Sequence, residues 1–242
     1  MSGSISYLFY AIDRPLSHSA QAAVASLSRR ANPTARRADF WYDVDGYDLP
    51  VAYESLMAQY YDLVIRQDYE QWTLGIAWPY SAALYEALKA FECDNGEGCG
   101  VRVIPIEASY PKVKRKLSKS TRLLAEITAF LDYELLELLK GLRDLPWGRS
   151  TNDEADSDEE EEWEEEYDDS YGSEDSPDET LARLAGCLRE DVAHGDLRAF
   201  YLAWKRLHDS DVETQPEAPK TKKRLPPYLK GFSQLLKTSA DL

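Results

Sequence analysis

Residues 153–179 hold 17 Asp/Glu and not one Lys or Arg. Such a run cannot bury itself against a core, because it repels itself and has almost no aliphatic side chains. Any fold must therefore be assembled from the residues on either side of it. The run also accounts for the formal charge of −16 over 242 residues, since the rest of the chain carries 28 basic and 27 acidic side chains. That remainder is nearly neutral, and at 43% hydrophobic the chain is long enough to bury a sizeable core.

An overall acidic balance argues against broad, nonspecific attachment to nucleic acid or anionic membranes, though not against local basic patches. The longest uncharged stretch, Gln71 to Tyr85, contains Pro79 and is too short to span a bilayer, so no membrane partner is expected. Met1 to Ile12 lacks the cationic start of a signal peptide. Three cysteines, Cys93, Cys99 and Cys187, are too few for a disulfide framework. Together these features point to a cytoplasmic protein.

Along the chain, Ile5 to Ile12 reads as a strand running into a turn at Asp13-Arg14-Pro15. A shallow helix follows through Ala20, Ala23, Val24 and Leu27, capped by Ser17 or Ser19 and stopped at Asn32-Pro33. Strands are expected over Asp39 to Val44, Tyr61 to Ile65, Trp72 to Trp78 and Val101 to Ile106, with helices over Val51 to Gln59 and Pro79 to Phe91. Pro105 marks the last of these strands as an edge. This order predicts an α+β domain over residues 1–110, a sheet with helices on one face in a split βαβ, ferredoxin-like arrangement.

Residues 111–148 read as one long amphipathic helix, or two abutting ones, on the three- and four-residue spacing of Val113, Leu117, Leu124, Ile127, Leu131, Leu135, Leu138 and Leu142. Residues 149–176 form the acidic linker, expected to be disordered. Residues 177–242 form a helical module: Ser176-Pro177-Asp178-Glu179 is a capping box, Leu181, Leu184, Leu188 and Val192 make a buried stripe, and Gly195 ends the helix. A second helix carries Phe200, Tyr201 and Trp204, and a third, after Pro226-Pro227, carries Leu229 and Phe232.

Tyr7 to Leu16 (YLFYAIDRPL), Met57 to Asp62 (MAQYYD), Gly195 to Trp204 (GDLRAFYLAW) and the closing helix after Pro226-Pro227 together resemble a family of bacterial cytoplasmic proteins. The family has no established activity, so the resemblance implies only similar length, a helical carboxy-terminal part and an acidic lead-in. Where the family usually shows Asn-Trp-Gly, this chain reads Asp68-Tyr69-Glu70.

Three classes of function compete. The leading reading is a non-enzymatic adaptor or regulator with a protein partner, acting through apolar helix faces (Leu124, Leu131, Leu135, Leu138, Phe200, Tyr201, Trp204, Phe232) and the acidic segment. In that segment Trp163, Tyr167 and Tyr171 recur every fourth residue amid charge, a pattern suited to basic, aromatic-lined grooves. The alternative partner is nucleic acid, contacted by Lys112, Lys114, Arg115, Lys116, Lys119 and Arg122, with the acidic run as competitor or mimic. The third is an enzyme with a site near Asp13 and His18, although no nucleophile and base motif accompanies them. Cys93 and Cys99, with Asp94 and Glu97 between them, fit neither zinc nor calcium spacing, and no metal or cofactor is expected.

Overall fold

Alternation along each strand decides which side of the sheet a residue serves. The computed structural model describes residues 5–42, 48–68, 71–107, 121–130, 177–208, 215–219 and 224–236. Eight strands are described: β1 (Ile5–Tyr10), β2 (Asn32–Pro33), β3 (Arg37–Tyr42), β4 (Leu63–Asp68), β5 (Gln71–Pro79), β6 (Cys93–Asp94), β7 (Gly100–Ile106) and β8 (Arg122–Phe130). They form one sheet in the order β2-β3-β1-β4-β5-β8-β7-β6, with every neighbouring pair antiparallel. The helices are α1 (His18–Ala25), α2 (Tyr53–Gln59), α3 (Ala82–Lys89), α4 (Pro177–Ala193), α5 (Arg198–Leu207) and α6 (Pro227–Leu235).

The fold is mixed α+β, with a sheet much larger than a four-stranded ferredoxin-like domain would have. β3 and β4 both run antiparallel to β1, which lies between them, and α2 links the two. β5 and β7 flank β8 in the same way, linked through α3. The split βαβ unit thus occurs twice, joined at the β4 and β5 hairpin.

Helices cover both faces, where the sequence predicted one. On the first face α1 and α2 bring Val24, Leu56 and Met57 onto Tyr7, Phe9, Phe40, Val64, Ala77 and Leu124. On the second, α3 to α6 bring Leu88, Leu181, Leu188, Phe200, Trp204 and Phe232 onto Leu63, Ile65, Trp72, Ile76, Val103, Leu123 and Ile127. The sequence hid the first layer because α1 buries only Val24, too little to show as an amphipathic stripe.

The largest correction concerns residues 122–130, which are a central strand and not part of a long helix. Leu123, Ala125, Ile127 and Ala129 face the second layer, while Leu124 faces the first. Both faces are buried, so the period of two does not show as an apolar and polar alternation, and Leu, Ala and Glu favour helix on propensity alone. The rest of the 111–148 prediction and the 149–176 linker lie outside the described residues, apart from Thr121, which precedes β8.

The carboxy-terminal helices are where the sequence put them. Pro177 opens α4, and Gly195, at a φ of 79°, turns the chain in the left-handed conformation that glycine adopts without a Cβ clash. The Ser176 and Glu179 side chains lie outside the described residues.

Candidate functional site

Two polar constellations are built into the sheet. The first lies where β1 and β5 end and β4 and β8 begin. Asp62 immediately precedes β4 and is buried. Its Oδ2 accepts hydrogen bonds from the backbone N–H groups of Ile12 (2.6 Å) and Asp13 (2.9 Å), which fixes the turn after β1. Its Oδ1 accepts from Arg122 Nη2. Arg122 Nη1 also donates to the carbonyls of Met57 and Tyr61, both at 2.7 Å, so one guanidinium ties β8 to the end of α2.

Arg189 closes the constellation from α4. Its Nη2 lies 2.7 Å from Asp13 Oδ2 and 3.9 Å from Asp62 Oδ1, and its Nε donates to the Ala77 carbonyl at 3.1 Å. Trp78 Nε1 returns a bond to the Arg189 carbonyl at 3.3 Å. Two carboxylates and two guanidinium groups thus join the turn after β1, the sheet and the helical layer. Every charge has an opposite partner, as burial requires.

The second constellation is a cleft of about 470 Å³ on the α2 face, lined by Tyr7, Asp48, Tyr53, Glu54, Arg66 and Arg102 together with residues 49–52. Its floor follows from the strand registers. Tyr7, Arg66, Thr73 and Thr128 stand opposite one another in one row across β1, β4, β5 and β8. Val64, Gly75, Glu126 and Arg102 form the next row across β4, β5, β8 and β7. Gly75 keeps that row open, for a Cβ there would come within 2.5 Å of Val64 Cγ1.

The cleft's charges are paired. Arg102 donates from Nε to Glu126 and from Nη2 to Glu54 (3.2 Å), while Arg66 Nη2 bonds Asp68. Tyr53 donates its hydroxyl to Glu126, and Tyr7 donates its own to Asp48 at 2.8 Å. Burial, reinforced by the Asp48 bond, pushes Tyr7 up to about 12; burial and the Glu126 charge push Tyr53 higher still. Both phenols are therefore protonated donors at neutral pH, far from the range of an efficient general base. This chemistry suits polar recognition better than proton transfer.

The residues expected to contact a protein partner are placed otherwise. Leu124, Phe200, Trp204 and Phe232 are buried in the two cores, and Tyr201 packs partly buried against the second. They hold the molecule together and are not exposed anchors. Leu131, Leu135, Leu138, Trp163 and Tyr167 lie outside the described residues, as do Lys112, Lys114, Arg115, Lys116 and Lys119. Arg122, grouped with those lysines as a phosphate contact, is corrected: its side chain is only 14% exposed and is committed to Asp62.

At the suggested enzymatic site, Asp13 is held by Arg189 and His18 is an exposed first residue of α1. Ser17 caps that helix, accepting from the Ala20 N–H. Between Cys93 and Cys99, Asp94 and Asn95 accept backbone N–H groups of the turn, and burial pushes the Cys93 thiol up to about 11. Among the described residues no group of three His, Cys, Asp or Glu side chains could hold a metal ion. None of the described helices is long and apolar enough to cross a membrane.

Sequence reasoning reached Asp13 through its turn, but missed Asp62, Arg189 and the cleft. Arg189 sits beside Leu188 of the α4 stripe, where a flanking cation is ordinary. The cleft needs strand registers that no local pattern contains. Comparison with protein-family models, curated proteins and solved structures finds no match for this chain.

Proposed function

We propose that this chain is a non-enzymatic interaction protein, an adaptor or regulator that presents charged segments from a rigid body. The observation that carries this reading is where those segments attach. Residues 108–120, which hold Lys112, Lys114, Arg115, Lys116 and Lys119 and no acid, lead into the first residue of β8. Residues 131–176, with nineteen acidic and three basic side chains, leave from its last. A nine-residue strand holds the two attachment points about 26 Å apart.

Because α4 is clamped to the sheet through Arg189, the acidic segment is tethered at both ends to one body. Tethering raises its effective concentration near any partner that the body also touches. Its Trp163, Tyr167 and Tyr171 fit it to a protein presenting a basic, aromatic-lined face. Leu124, Phe200, Tyr201, Trp204 and Phe232 serve the core, so in this reading recognition falls to the segments and the outer surface.

The test is affinity purification of the tagged full chain and of a chain lacking residues 153–175, each with nuclease treatment. The reading expects a stoichiometric protein that survives nuclease with the full chain and is lost on the deletion. Equal recovery by both chains, or recovery of no protein by either, would refute it.

A further inference from the structure

One corner of this acidic molecule is strongly basic. Residues 14–38 hold five arginines, Arg14, Arg29, Arg30, Arg36 and Arg37, with no Lys, Asp or Glu. The fold gathers them at one edge of the sheet. Arg14 is in the turn after β1, Arg29 and Arg30 lie between α1 and β2, and Arg36 and Arg37 lie at the turn into β3. The backbone ties these pieces together: Leu16 N–H donates to the Ala35 carbonyl, Ala11 N–H to Arg36, and Thr34 N–H to Arg37. All but Arg37 are exposed.

The hydrogen bonds of Arg30 and Arg36 go to carbonyls, which carry no charge to cancel theirs. Arg36 donates to the carbonyls of Ala11 and Ile12, and Arg30 to that of Trp41 at 3.2 Å. Arg14 and Arg29 make no hydrogen bond or ion pair among the described residues. Asp39 stands 3.9 Å from Arg37, and both side chains are substantially exposed, so water screens the pair.

An aromatic platform lies beside the charge. Trp41 is 57% exposed, the most exposed large hydrophobic side chain described. It shares a face of β3 with Arg37, four residues and about 13 Å away. Tyr10 stands opposite Arg37 on β1, and the Arg37 guanidinium lies over its ring at 6.0 Å. Arg30 donates to the Trp41 carbonyl and lies over Tyr42, which is buried on the opposite face of β3 from Trp41.

We infer that this arginine corner binds single-stranded nucleic acid, with the guanidinium groups on phosphates and a base stacked on Trp41. Guanidinium groups match phosphate oxygens in bidentate geometry, and an exposed indole among cations is the stacking element of sequence-tolerant single-strand binders. An acidic polypeptide without aromatic side chains would use the arginines and leave the indole idle. Its residues are distinct in sequence from the Lys112 to Lys119 run and from the acidic segment of the proposed function.

The test is fluorescence anisotropy of the full chain with labelled oligothymidylate and oligouridylate of about 12 nucleotides, titrated over a range of salt. The proposal expects saturable binding that weakens with salt. Trp41→Ala weakens it at least about fivefold. The double variant Arg14→Ala, Arg29→Ala, which removes no described hydrogen bond, makes the log–log salt slope shallower by about 1.4. The chain lacking residues 153–175 is measured alongside, so that any competition from the acidic segment is read directly. No binding by either chain overturns the proposal, as does binding that neither variant alters. A synthetic peptide of residues 153–175 that binds more tightly than the oligonucleotides and is lost in the same variants overturns it in favour of an acidic polypeptide.

Discussion

Asp62 accepts two backbone N–H groups and a guanidinium that is itself almost buried, so its charge matters more than its shape. Asp62→Asn keeps an acceptor for the Ile12 and Asp13 amides but leaves Arg122 without its counter-charge. That variant is expected to lose about 3 kcal/mol of stability in denaturant melts. Adding Arg122→Met should restore part of the loss, since an apolar pair avoids the stranded charge. Gly75 matters for the opposite reason, that nothing is there. Gly75→Ala drives a Cβ against buried Val64 and should cost about 1 to 3 kcal/mol, measurable in the same melts. At this scale the sequence was half legible. Asp13 stood out in its turn, whereas Asp62 was given no role and Arg122 took its meaning from neighbouring lysines although its surroundings are set by the register that places it opposite Pro79.

Elements declare themselves when only one of their faces is buried. α5 does so through Phe200, Ala203, Trp204 and Leu207 along one side; α4, buried nearly all round from Thr180 to Leu188, showed instead through its capping signal and leucine spacing. β1 was legible from its aromatic and β-branched residues. β8 was not, because in a central strand covered on both sides apolar residues fill both faces and its few polar ones, Glu126 and Thr128, do not restore an alternation. Its place in the sheet gives a direct check. Amides of residues 123–129, hydrogen-bonded to β5 on one side and β7 on the other, should be among the slowest in the chain to exchange with solvent. Rapid exchange there would contradict the place of the segment at the centre of the sheet.

The whole molecule is a sheet between two helical layers, and its titration behaviour follows from that burial. Tyr7, Tyr53, Tyr61 and Tyr228 all have phenols pushed above the ordinary value of 10, with burial the largest cause in each. An unfolded chain releases these protons near pH 10 while the folded chain retains them, so the unfolded state is favoured as pH rises. Stability should therefore hold up to about pH 10 and fall steadily from there through 12. Four tyrosines should ionise only as the fold is lost, seen as a delayed rise in tyrosinate absorbance in an alkaline titration. No local pattern in the sequence carried this architecture, because the second layer draws on helices that follow the sheet by almost fifty residues.

The claim on which the rest depends is that those late helices belong to the same body as the sheet, so that the acidic segment is joined to that body at both ends. A protease site placed between residues 153 and 175, cut to completion and followed by gel filtration without denaturant, tests it most directly. Two fragments that elute together at the position of the uncut chain, and separate only in denaturant, are the predicted result. Fragments that part under native conditions would contradict the account, making the carboxy-terminal helices an independent module.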